Sequence, residues 1–87
     1  MDELAKSRMI WRSRRGMLEL DLMLAPFVEH EYEDLPTETK QLYLELLKEE
    51  DQDLFRWFLQ AEAPPQPHLV EIVNLILERH AQRGPAA

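Results

Sequence analysis

The chain contains no cysteine, which excludes disulfides, thiolate nucleophiles and cysteine-type zinc sites. Glycine is nearly absent, with two residues, and the Asn-Gly and Asp-Gly pairs that build tight hairpins do not occur. The longest apolar run, Leu22-Met23-Leu24-Ala25-Pro26-Phe27-Val28, has seven residues, far short of the ~20 needed to span a bilayer. The opening Met-Asp-Glu-Leu-Ala-Lys-Ser lacks the apolar segment of a secretory signal. A soluble cytoplasmic protein with no membrane insertion is expected. No glycine-rich phosphate loop, HExxH spacing or paired nucleophile and base is visible, so neither an enzyme, a metal site nor a stably bound cofactor is expected.

What is present is a short, acidic chain. Its 87 residues suffice for one domain, read as 1–87 with a frayed start and a frayed 83–87. A domain of this size buries only roughly 60–65% of its unfolded surface, enough for a thin core and too little for a deep sealed pocket. The net charge of −7 is unevenly placed. Residues 1–15 carry Lys6, Arg8, Arg12, Arg14 and Arg15 against two acids, a balance of +3; the remainder stands at −10. An acidic body repels a nucleic-acid backbone, so no nucleic-acid partner is expected.

Periodicity is helical almost throughout, and it predicts an all-α, single-domain five-helix bundle. The first helix, 3–14, stops at Gly16, which tolerates the left-handed conformation that ends many helices. The second, 17–32, turns Met17, Leu20, Leu24, Phe27 and Val28 to the core. Leu18 and Leu22 fall on its other side, so it is expected to lie between neighbours, with a kink at Pro26. Leu35-Pro36 marks a turn. A third helix, 37–49, buries Leu42 or Tyr43 with Leu46 and Leu47. A fourth, 52–61, buries Leu54, Phe55, Phe58 and Leu59, with Trp57 in the core or at its rim. Ala63-Pro64-Pro65-Gln66-Pro67 is a rigid break. The fifth helix, 68–82, buries Leu69, Ile72, Val73, Ile76 and either Leu77 or His80. His30 falls at a helix end, and the isolated His68 and His80 read as surface or core-edge residues.

Two features stand outside this pattern. On a helical wheel Arg8, Trp11 and Arg15 share an arc of about 60°, a stripe suited to docking an acidic or planar partner by charge-assisted bonds and stacking. The alternative is a solvated helix anchored by Trp11. The second feature is Arg14-Arg15-Gly16-Met17-Leu18-Glu19. Arg15 and Glu19, four apart, can pair across one turn for a few tenths of a kcal/mol, and Gly16 between them allows close approach to the backbone. This is a recognition surface or, more simply, a glycine cap beside an ordinary ion pair; spacing favours the simpler form. Asp21, at the margin of the core face, needs a partner and is read as an acceptor for helix-one arginines or backbone amides.

Arg15-Gly16-Met17-Leu18-Glu19-Leu20-Asp21, followed by Pro26-Phe27, His30-Glu31-Tyr32-Glu33-Asp34-Leu35, Asp51-Gln52-Asp53-Leu54-Phe55-Arg56-Trp57-Phe58-Leu59 and a closing Arg83-Gly84-Pro85, resembles the small bacterial SdhE family of succinate dehydrogenase assembly factors. The family is related to the mitochondrial assembly factor 2, and the resemblance runs from about residue 8 to 85. It implies a five-helix monomer that promotes covalent attachment of FAD to the flavoprotein subunit of succinate dehydrogenase, and of fumarate reductase in some bacteria. It also implies that the bond forms autocatalytically in the client. Under that resemblance Arg15, Gly16 and Glu19 form the RGxxE docking motif, with Arg8, Trp11, Arg14 and Asp21 as further contacts and no catalytic residue. A competing reading is an antitoxin-like regulator acting through protein contacts. The start of helix three departs from the family in lacking a Ser-x-x-Glu capping box.

Overall fold

The computed structural model describes residues 3–83; of the expected frayed ends, residues 1–2 and 84–87 lie outside the described residues. Five α-helices and one 3₁₀ turn follow in chain order. They are α1 (Glu3–Ser13), α2 (Leu18–His30), the 3₁₀ turn (Tyr32–Asp34), α3 (Thr37–Leu46), α4 (Asp51–Leu59) and α5 (Pro67–Arg83). No strand occurs among the described residues, and the all-α, five-helix expectation holds.

Helix α2 is the hub, packing on α1, the 3₁₀ turn, α4 and α5. Leu20, Leu24, Phe27 and Val28 are sealed from solvent, because steps of three and four carry one face of a helix onto its neighbours. Met23 joins them, and Met17 is only partly buried at the edge of the core. Tyr43 and Leu46 come in from α3, Leu54, Trp57 and Phe58 from α4, and Leu69, Ile72, Val73 and Ile76 from α5. Between the paired alternatives, Tyr43 is the fully buried member of the Leu42/Tyr43 pair. Leu77 packs on the core from α5.

The differences from expectation are local. Helix α2 runs on past Pro26, and its expected 17–32 span shortens because Tyr32 lies in the 3₁₀ turn. Proline withdraws the amide that would bond the Leu22 carbonyl, and this falls on the helix side where Leu22 stays 54% exposed. Leu18 and Leu22 therefore lack the neighbour that their apolar character suggested. Helix α3 ends at Leu46 rather than residue 49, since Lys48 and Glu49 turn their amides back to Glu45 and Leu46 in tighter bonds. It starts after Pro36 with no side-chain cap, in keeping with the missing capping box. In α4, Trp57 is core and not rim, whereas Leu59 is 43% exposed and Phe55 half-buried. That helix closes on Ala61 at φ +58°, a left-handed stop built without glycine.

One buried polar contact ties the end of α1 to α3. The Ser13 hydroxyl donates to the Met9 carbonyl at 2.9 Å. With that proton committed, the Tyr43 phenol, 2.5 Å away, donates to Ser13 Oγ. Phe27 and Tyr32 rings flank Tyr43 at centroid separations of 5.6 and 5.5 Å, so the last turn of α1 is pinned over the aromatic centre of the core.

Candidate functional site

The junction between α1 and α2 is built from few atoms. Helix α1 stops at Ser13, Gly16 takes φ +78°, and Met17 caps α2 in an extended conformation with no side-chain bond of its own. One side chain of α2 reaches back to the loop before it. Asp21 Oδ1 accepts the Arg15 backbone amide at 2.8 Å, which satisfies the carboxylate where a helix N-terminus favours negative charge. Asp21 thus acts as the amide acceptor its position suggested.

The Arg15 side chain turns away from Glu19. Its Nε donates to Asp51 Oδ1 at 2.7 Å, its Nη1 to the Leu47 carbonyl at 2.7 Å and its Nη2 to the Glu49 carbonyl at 2.5 Å. The side chain is 16% exposed. The local chemistry explains the destination. The C-terminal carbonyls of α3 need donors that the helix cannot provide. Asp51 opens α4, so a cation between the two ends meets a helix C-terminus and a carboxylate together. A planar guanidinium can reach all three acceptors, and its geometry is well matched to them. The expected Arg15–Glu19 pair is therefore replaced by a bridge to the α3–α4 turn. Glu19 remains exposed.

The Arg8–Trp11–Arg15 stripe is likewise divided. Arg15 lies beyond the end of α1 and points inward, while Arg8 and Trp11 stay on the outer surface. Arg14 takes the stacking position, its guanidinium carbon 5.1 Å from the Trp11 ring centroid. Trp11 is 69% exposed, so it does not anchor the core.

Gly16 itself is open. A side-chain carbon built on it would meet nothing within 4 Å. Its conformation, and not crowding within the chain, calls for glycine. Arg12, Arg14 and Glu19, near it in the chain, and Arg8, further back on α1, are all exposed. Trp11 precedes the junction and Leu18, 67% exposed, follows it; Leu22 lies one turn further on. The side chains exposed at this junction are mixed in chemistry, with cationic, acidic and apolar groups.

Sequence reasoning missed Asp51 and the exposure of Leu18 and Leu22. Asp51 is one of 17 acids, and spacing singles out none of them. Leu18 and Leu22 carried a signal, their place opposite the core face, which was read as covered. Among the described residues no group of three or more His, Asp and Glu side chains is arranged to hold a metal ion, and no helix is long and apolar enough to cross a membrane.

Comparison with known proteins finds relatives along nearly the whole chain. A family profile described as "Flavinator of succinate dehydrogenase" matches residues 7–80. The FAD assembly factor SdhE of Yersinia pseudotuberculosis is 43% identical over 82 residues, covering 94% of this chain and 93% of that protein. The FAD assembly factor SdhE of Pseudomonas aeruginosa is 46% identical over 78 residues, 90% of this chain and 93% of that protein. That of Pseudomonas putida is 45% identical over 73 residues, 84% of this chain and 87% of its own length.

Proposed function

From its membership of the succinate dehydrogenase flavinator family, to which the chain belongs, we propose that this protein is an FAD assembly factor. It binds the flavoprotein subunit of succinate dehydrogenase before flavinylation and promotes covalent attachment of FAD to it. The surface at Gly16, with Glu19, Arg8, Arg14, Trp11, Leu18 and Leu22, is the docking face. The observation that carries this reading is the open left-handed glycine set among exposed arginines and apolar side chains. A partner can approach that backbone without displacing any part of this chain.

The role is that of a helper without its own chemistry. Linking a flavin to a side chain requires the reacting atoms to be held in register, and positioning of this kind can contribute several kcal/mol to a barrier. A small protein supplies it by binding the reactive conformation of its client more tightly than the others. The FAD remains with the client, the bond forms within the client, and a fumarate reductase flavoprotein is a second client. The site is cytoplasmic, and the working unit is a monomer.

The test is to mix the protein with the unflavinylated flavoprotein subunit and FAD and to follow covalent flavin fluorescence on a denaturing gel. Faster flavinylation with wild-type protein, and its loss with Glu19→Ala, is the expected result. An unchanged rate in the presence of folded protein would remove the proposal. Capture of a different main partner in a pull-down, with no flavoprotein subunit bound, would favour the regulatory alternative.

A further inference from the structure

Arg15 is the cation of the motif, yet it is committed inward. Each of its three side-chain nitrogens donates to an α3–α4 turn acceptor at 2.5–2.7 Å, and its own amide is held by Asp21. A guanidinium with that many short charge-assisted bonds is not free to swing out and grip a partner without breaking them all. The contacts lie on two independent sides of the loop: Asp21 holds the main chain from α2, and Asp51 with the two carbonyls holds the side chain from the α3–α4 turn. Gly16 and Met17 lie between the doubly anchored Arg15 and the start of α2, and set the direction in which that helix departs. Gly16 has the widest conformational freedom of any residue type and, with nothing packed against it, cannot hold its shape by itself.

We propose that Arg15 is a positioning residue and not a client contact. It locks the Gly16 backbone in its left-handed shape by clamping the loop to the α3–α4 turn. Asp51, which lies 36 residues further along the chain and outside the RGxxE motif, is then part of the docking machinery at one remove. The inference rests on the docking reading above and deepens it by separating the residues that touch the client (Gly16, Glu19 and their neighbours) from the residues that shape the surface (Arg15, Asp21 and Asp51).

The test is a double-mutant cycle. Arg15→Lys keeps the charge but loses the planar fork. Asp51→Asn keeps the shape of a partly exposed side chain but loses its charge. Dissociation constants are measured for the wild type, both single variants and the double variant against the unflavinylated flavoprotein subunit, after circular dichroism has shown each to be helical. Amide hydrogen exchange at Arg15, which needs no client, is recorded on the same four proteins. The expected result is a loss of about fivefold for Asp51→Asn and at least tenfold for Arg15→Lys, the scale of one charge-assisted bond and of the whole clamp. The double variant should bind no more weakly than Arg15→Lys, and the Arg15 amide should exchange faster in each variant.

Wild-type affinity in Asp51→Asn beside a loss in Arg15→Lys would show Arg15 gripping the client directly and would overturn the proposal. Losses that multiply in the double variant would do the same, since independent sites add in free energy. If Gly16→Arg and Glu19→Ala both bind the client like wild type, the docking reading itself fails. The exchange data then decide the clamp alone, and unaltered protection of the Arg15 amide in Asp51→Asn overturns it.

Discussion

Substitution at Gly16 separates a structural glycine from a functional one. At φ +78° any L side chain carries the left-handed penalty, roughly 1–2 kcal/mol. Part of this is offset, by about 0.4–1 kcal/mol, because the unfolded chain also loses freedom when glycine is replaced. The net cost is about 1 kcal/mol, or a fall of about 4–8 °C in Tm for a domain of this size. Since an added Cβ meets no neighbour within 4 Å, the backbone penalty dominates that figure for a short or a long side chain. Gly16→Ala and Gly16→Arg should therefore unfold within ~0.5 kcal/mol of each other, the usual spread for surface changes. Their activities should differ, because arginine fills the space a client backbone would occupy and the alanine methyl barely enters it. Thermal unfolding by circular dichroism and covalent flavin fluorescence on the same two proteins read both quantities. Normal flavinylation by folded Gly16→Arg would refute the assignment of the docking face. A Tm for Gly16→Arg far below that of Gly16→Ala would refute the claim that the position is open, and its loss of activity would then be a folding defect.

Other consequences follow from the same coordinates. Leu18→Gln and Leu22→Gln lie on exposed positions, so each should change stability by no more than ~0.5 kcal/mol while together lowering flavinylation; wild-type activity in the pair would take these leucines out of the docking face. Phe27→Ala empties the centre of the core beneath Tyr43 and should cost about 3–5 kcal/mol, measurable as a lower urea midpoint; a cost under ~1 kcal/mol would contradict the packing described. Burial pushes the Tyr43 phenol above its ordinary range. Folding thus favours the neutral form, and that contribution is complete below about pH 10 and lost as pH rises through and beyond it, by at most ~1.4 kcal/mol per pH unit. Alkaline unfolding should accordingly be shallower in Tyr43→Phe, and superimposable curves for the two proteins would show that Tyr43 does not govern it.

The candidate site was legible in part. Gly16 stood out because one of only two glycines sat between a basic helix and an apolar one, and a left-handed stop followed directly from that. Asp21 was recognisable as an acid at a core margin in need of a donor. For Arg15 a spacing of four suggested Glu19 as a partner, while its three acceptors include two main-chain carbonyls, which leave no mark in any side-chain pattern. Trp11 could be assigned neither to the surface nor to the core from its helix alone, because α1 is too weakly patterned to show which face its neighbour covers.

The amino-acid order by itself determined the helices, their approximate limits, the four α2 residues sealed in the core and the position of the glycine junction. These are properties of neighbours within one or two turns, where periodicity and backbone preference act directly. The tertiary structure alone decided that Leu18 and Leu22 face solvent, that Arg15 reaches Asp51 across 36 residues, and that the Gly16 backbone stands clear. Each depends on where a distant helix end comes to rest, a sum of many packing contacts that no local pattern encodes.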